Sequence, residues 1–555
     1  MKLFALTGVV FALAVPAAAA PEEGLSLAVD GKAMVTIVLA AESSAAERTA
    51  GAELAEYLGR VTGGKFAVVA EGEARPEGPA IYVGPTAAAK SHGLDASDWG
   101  PERWAMRTAG GDLMLVGGRP RGTLYAVYRF LEDVVGVRWW SPFEEHVPRR
   151  GTLRVEALKR EGNPRFGYRD IHLLYAGDGG RFAARNRLNG RGFGPIDARF
   201  GSGVYYGPPG GVHTFYPYIA PKKFFEKHPE WFSLIGGKRT IDRAQLCLTN
   251  EELRAVVIEK LVAYIERARA EAKQAGRPAP LDFDISQNDW GGMCECDRCS
   301  AIARREGSQA GPLLEFLNHV AAAIGGKYPE VRINTLAYQM TEEPPRSIRP
   351  RDNVMPRLCD THANLLRPIT HEDNRPFAER VAAWGRVARN LRIWDYAVTY
   401  RPYYGLPLPT VHTYATDYRY FAEHNVEGVF TEHEHPIRAD LRDFKIWMMI
   451  KLLEDPYRDA AALAKDFTDG FYGPAGPIIR RYLADLEAAA AGPQHHVDWF
   501  PALSQYTYLT LEFLRKAQAT FDEAEAAVAG DAVLLRRVRH GRLPVDRACL
   551  VLWPK

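Results

Sequence analysis

The stretch ISQNDWGGMCECDRCS, residues 285–300, ends an apolar run in two amides, a carboxylate and an indole (Gln287, Asn288, Asp289, Trp290). Three cysteines, Cys294, Cys296 and Cys299, follow at C-x-C-x-x-C spacing. A carboxyl group in such a place can hand a proton to a leaving oxygen and take it back from water. Other apolar runs end in similar groups. Asp360 follows VMPRLC, Asp395 sits between Trp394 and Tyr396 in LRIWDY, and Glu432 and Glu434 alternate with His433 and His435 in VFTEHEH. Tyr338 closes RINTLAY, His213 lies in GVHTF, and Arg169 and Asp170 open YRDIHLLY ahead of His172 and Tyr175. Carboxylates and aromatic faces gathered at one mouth suit glycosidic-bond hydrolysis: one acid protonates the leaving oxygen, a second carboxylate supports the oxocarbenium-like transition state, and rings hold the sugar. Each residue alone has a structural alternative, since an Asp at a strand end commonly caps the next helix. The interleaved His and Glu after residue 431 do not form a recognised metal-ligand spacing.

Such groups converge only if the elements carrying them form one layer. From residue 165 short strand-like runs alternate with helical ones, the pattern of a (β/α)8 barrel whose functional residues sit just past the strand C-termini. Eight runs qualify: 168–175, 185–190, 211–215, 281–286, 332–338, 354–359, 391–396 and 426–432, with helices expected over 251–272, 311–325 and 377–388. Ahead of them residues 25–155 read as an α+β sandwich with helices over 47–63 and 122–135, and Trp139 and Trp140 read as core. The expected fold class is α/β: this leading unit, a barrel over 163–437, and a helical region over 438–555.

Residues 1–20 read as a leader: Lys2, an apolar run and a small-residue cleavage site, too short for a membrane span. The mature chain is expected to be exported, periplasmic or secreted, with no transmembrane segment. A net charge of +2 without a clustered basic stripe argues against nucleic acid as partner. A glycan or oligosaccharide is the expected partner, and no organic cofactor is expected.

The series YRD, RLNG, HTFY, HPEWFSL, QLCLTN, SQNDWGGMCECDRC, IWDY and GVFTE resembles the domain of unknown function 4838, over roughly residues 163–474. That domain founds glycoside hydrolase family 163, which implies endo-β-N-acetylglucosaminidase action on N-glycans. The leading unit resembles the N-terminal sandwich of α-glucuronidases and β-hexosaminidases. Asn288-Asp289-Trp290-Gly291 followed by the cysteines is similar to family 42 β-galactosidases, where Asn-Glu-Tyr-Gly closes barrel strand four ahead of C-x-C-x-x-C. That likeness implies that Asn288 bonds a sugar hydroxyl, that Asp289 is the acid/base, and that Cys247 joins the three cysteines around structural zinc. Asp in place of Glu is a departure, one methylene shorter. Four thiolates satisfy tetrahedral zinc, although export would also favour disulfides among them. Cys294 and Cys296, one residue apart, are awkward to bridge to each other. Cys359 and Cys549 read as buried thiols.

Glu432 is an attractive partner for Asp289, with Glu434, Asp395 and Asp360 as alternatives. An exposed Asp has a pKa of about 3.9, so a proton-donating Asp289 calls for burial against an aromatic wall or a neighbouring negative charge. Two other readings remain: an inactive barrel that binds carbohydrate, and another polysaccharide-active hydrolase or lyase on the same scaffold.

Overall fold

The computed structural model describes residues 24–172, 179–400, 405–434 and 438–553; the expected leader, Tyr175 and His435 lie outside them. In the leading unit, a mixed six-stranded sheet runs in the order Lys159–Gly162, Trp104–Ala109, Asp112–Gly117, Ala80–Val83, Thr36–Leu39, Val68–Ala70. Helix Ala45–Thr62 packs on it. Ser44 and Glu47 cap its start reciprocally, and Gly63, at φ +83°, ends it in the left-handed region that favours glycine. Trp139 and Trp140 are buried as expected; Trp140 packs against Trp447 of the C-terminal helices, tying the first unit to the last.

The central sheet is parallel and six-stranded: β1 (Tyr168–His172), β2 (Asp282–Asp284), β3 (Arg332–Ala337), β4 (Val354–Cys359), β5 (Leu391–Ala397) and β6 (Val426–His433). Among the described residues its order is β1-β6-β5-β4-β3-β2, a curl of fewer than eight strands. The expected strands at 185–190 and 211–215 do not form. The first segment follows helix Gly179–Arg185 as loop. Asn189 and Gly190 both donate to Arg169 O at 3.1 Å without a ladder, and a Cβ on Gly190 would meet the Asp170 carboxyl at 2.1 Å. Further on, Tyr206 makes one isolated parallel bridge to Asp282, and after Gly207 come Pro208 and Pro209, which lack N–H donors. The gap between β1 and β2 is therefore spanned by irregular chain, with Val204 N donating to Asn189 O at 2.6 Å and Gly207 N to Asp282 O at 2.8 Å.

Polar residues that read as a strand in RNRLNG are spent on a buried joint instead. Arg187, 0% exposed, pairs with Glu132 of the first unit and with Glu454 of helix Arg442–Glu454 at 2.9 Å. Arg169 pairs with Glu102 at 2.8 Å. The remaining C-terminal helices are Ala460–Tyr472, Gly476–Ala490, Leu511–Ala527 and Ala532–Leu552. Among the described residues no helix is long and apolar enough to cross a membrane. Arg187→Met should cost on the order of 3 kcal/mol of stability, because it removes the cation shared by two buried carboxylates and leaves Lys451 alone on Glu132 and Arg129 alone on Glu454; urea unfolding measures it, and a loss below about 1 kcal/mol would show that the joint carries little.

Candidate active site

At the C-terminal ends of the strands lies a cleft of about 380 Å³. Two carboxylates line it, Asp289 beyond β2 and Glu432 on β6, together with His213, Tyr338, Trp394 and Tyr396. Side chains two apart on a strand share a face, which is why Trp394 and Tyr396 both reach the cleft. Tyr338 donates its phenol to Asp289 Oδ1 at 3.0 Å. His213 Nδ1 lies 2.8 Å from Gln287 O. A carbonyl only accepts, so Nδ1 bears the hydrogen and Nε2 is left facing Asp289 Oδ1 at 3.8 Å. His213 sits at φ +55°, left-handed backbone that favours glycine. Glu432 accepts from Trp394 Nε1 at 3.1 Å and is hydrogen-bonded by Tyr400. Burial raises the phenols of Tyr338, Tyr396 and Tyr400, with the Asp289 charge adding to the first and that of Glu432 to the other two. All three stay protonated donors at neutral pH. Below the floor, Arg357 stacks on Trp394 at 4.7 Å.

Three aromatic residues of the cleft were not anticipated: Tyr400, Trp499 and Phe500. Extending the alternation Trp394, Tyr396, Val398 by one step reaches Tyr400. Trp499 and Phe500 come from the helical C-terminal region, where only the adjacent pair in VDWFP marks them. Trp499 lies 4.6 Å from Tyr396 and accepts Tyr400 N at 2.9 Å; Tyr400 and Phe500, centroids 5.3 Å apart, are the exposed rim.

Other expected site residues lie elsewhere. The same alternation turns Asp395 away from the mouth, where it accepts from Thr431 at 3.0 Å. Asp360 follows the inward Cys359 and likewise points outward, accepting Ala363 N at 3.2 Å. Glu434, one residue past β6, is buried and bonded by Thr399. Arg169 belongs to the buried joint, and Asp170 accepts Gly192 N at 2.7 Å and Tyr168 OH at 3.0 Å. Gln287 donates to Tyr338 O at 2.7 Å. Asn288, expected to meet a sugar hydroxyl, is buried with its amide on Ala244 O at 3.2 Å, and Trp290 donates to the same carbonyl at 2.9 Å. Of the two settings expected to keep a proton on Asp289, burial or a neighbouring negative charge, burial is missing: 60% of its side chain is exposed.

Behind the Asp289 turn, Cys247, Cys294, Cys296 and Cys299 present sulfurs all within 4.8 Å of one another. Cys247 and Cys296 are 3.7 Å apart, Sγ to Sγ. A disulfide requires about 2.05 Å, whereas the edge of a tetrahedron with Zn–S bonds of about 2.3 Å is roughly 3.8 Å. The donor set fits a zinc-class ion.

Residues 139–484, well over half of the chain, match the profile of a domain of unknown function, DUF4838. The chain belongs to this family. None of the curated proteins matches it. Among solved structures, this DUF4838 protein is similar to a family GH115 4-O-methyl-α-glucuronidase with specificity for decorated arabinogalactans, at a TM-score of 0.58 and 12% identity, over 94% of this chain and 72% of that one. At that identity the likeness is one of fold. CpGH84B aligns at a TM-score of 0.49 and 11% identity, over 94% of this chain and 88% of that one. A GH138 enzyme targeting pectin rhamnogalacturonan II aligns at 0.42 and 11%, over 93% and 69%.

The outward carboxylates of this DUF4838 protein form a group of their own. Asp360 and Asp395 line a cavity of about 40 Å³ with Asp417 of helix Val411–Glu423. Burial raises all three: Asp395 to about 6, Asp417 to about 7, and Asp360 well above the usual range, with the charges of Asp395 and Asp417 adding to the last. A carboxyl group whose folded pKa is raised contributes stability in full below its unfolded pKa of about 4 and loses it as pH rises through the folded value. Stability should therefore fall between about pH 4 and 7. Asp417→Asn should flatten that slope and gain on the order of 1 kcal/mol at pH 7. Urea unfolding across the range checks it, and an unchanged slope would assign the titration to other groups.

Proposed function

We propose that this protein is a glycoside hydrolase that cleaves a glycosidic bond in a complex glycan, with Asp289 as general acid and Glu432 as the second carboxylate. One observation carries the reading: both carboxylates line a single cleft walled by Trp394, Tyr396, Tyr400, Trp499 and Phe500. Asp289 would pass its proton to the leaving oxygen and, as carboxylate, take one back from the attacking water. Tyr338 and His213 would hold its Oδ1 in place. Glu432, fixed by Trp394 and Tyr400, would support positive charge growing on the sugar ring. The resemblance to glycoside hydrolase family 163 points to a β-N-acetylglucosaminide; there a 2-acetamido group would itself be the nucleophile and Glu432 would orient it. A sugar seated over Asp289 would supply the apolar cover that the open cleft lacks. Export as a periplasmic or secreted protein belongs to the same reading, resting on residues 1–20.

The openness of Asp289 is the observation that favours the rival reading, a barrel that binds carbohydrate without cleaving it. A reducing-end assay on a glycan panel decides between them. Asp289→Asn should keep the fold and sugar binding while lowering turnover by roughly 10²-fold or more. On a nitrophenyl glycoside, whose leaving group departs unaided, the loss should shrink. Near-native turnover of an unactivated glycan by the Asn variant would assign the proton to another residue.

The four cysteines belong to the proposal as the ligands of one structural zinc ion, Cys247, Cys294, Cys296 and Cys299 each giving a thiolate. The ion would cross-link the segment around Cys247 to the turn beyond β2. Elemental analysis of purified protein should return one zinc per chain. Two intact disulfides and no metal, read by thiol titration under denaturation, would retire this assignment.

A further inference from the structure

The turn that carries Asp289 belongs to no helix or strand, yet one side chain meets its backbone at four points. Gln245, 0% exposed, lies in the extended segment ahead of helix Glu251–Gln274. Its Nε2 donates to the carbonyls of Asn288 at 3.1 Å, Trp290 at 2.6 Å and Gly291 at 3.1 Å. Its Oε1 accepts Asn288 N at 2.8 Å, and its own backbone N–H donates to Gly292 O at 3.0 Å. An amide side chain offers donors and an acceptor together, and here both ends are used on the residues flanking Asp289. The fit is close: a Cβ on Gly292, itself at φ +77°, would meet Arg243 O at 2.3 Å.

Both chains leaving this clamp enter the sulfur cluster. Two residues after Gln245 comes Cys247, and two after Gly292 comes Cys294. The clamp and the cluster thus follow one another along the two chains that leave the Asp289 turn, and the turn has no sheet ladder to order it otherwise.

We propose that Gln245 is a positioning residue that couples the four-thiolate centre to Asp289, so that the carboxylate is held in register only while the Gln245 amide and the bound metal are both in place. This rests on Asp289 as general acid and on the cysteines as a metal centre. Misplacement by about 1 Å at a catalytic group can cost 10²-fold in rate, so the effect of Gln245 should be read in turnover rather than in affinity.

The test uses the full chain with Gln245→Leu and Gln245→Glu. Backbone amide exchange over residues 286–293, zinc content, and kcat and KM on unactivated and nitrophenyl glycosides are measured for each. Gln245→Leu should keep about one zinc per chain, speed exchange across 286–293, and lower kcat by about 10- to 100-fold with KM little moved. Gln245→Glu should behave alike, because it loses the donor that meets three carbonyls. Chelation of the metal from the wild type should speed exchange in the same peptides. In an Asp289→Asn background most of the Gln245→Leu loss should vanish, since the two act through one proton transfer. Native exchange and native kcat in Gln245→Leu would overturn the proposal, as would an equal fold-loss with and without Asp289. Unchanged exchange after chelation would overturn the link to the metal. If Gln245→Leu does not fold, Gln245→Asn, its amide one carbon short, gives the same readings. Should the wild type cleave no glycoside, the hydrolase reading fails, while the exchange and chelation measurements still decide the clamp.

Discussion

The buried joint around Arg187 is the constraint on which the rest depends. Its guanidinium, with no access to solvent, answers Glu132 from the first unit and Glu454 from the C-terminal helices. A buried cation must be matched by nearby carboxylates, so three stretches far apart in sequence are compelled to meet at one point. They meet beside β1, where the central sheet lacks its next strand. The chain there forms no ladder and is ordered by charge and by close glycine packing.

That joint has a consequence at the mouth. The C-terminal helices are fixed against the sheet, and the loop between Gly476–Ala490 and Leu511–Ala527 brings Trp499 and Phe500 over the strand ends. The cleft is thus built from both regions: carboxylates from the central sheet and the turn beyond β2, part of the aromatic wall from the helices. Within the central sheet, strand alternation divides the acids into two sets. Glu432 faces the cleft. Asp360 and Asp395 face the helix layer, where Asp417 joins them and burial favours their protonated forms.

Asp289 owes its place to neither ladder nor helix. It stands on a turn held by Gln245, with four converging sulfurs two residues further along both chains and Tyr338 and His213 meeting its carboxylate. Asn288 and Trp290, which flank it, spend their polar groups on Ala244 O, so the turn offers the cleft one functional side chain.

By itself the sequence determined what depends on local pattern. The helices and strands of the first unit, six parallel strands, the C-terminal helices and the cysteine spacing were legible, because periodicity and turn residues act within a few positions. So was the list of groups at the strand ends, from Asp289 to Glu432. Tertiary structure decided which of them share a space. It left 185–190 and 211–215 out of the sheet, because Arg187 and Asn189 answer carboxylates more than 50 residues away in the chain, while His213 N and Phe215 N are both spent on Ser286. It turned Asp360 and Asp395 outward, sealed Arg169 and Asn288 into the interior, and brought in Trp499 from the far end. Burial and partnership are properties of the assembled chain, and no short window of residues contains them.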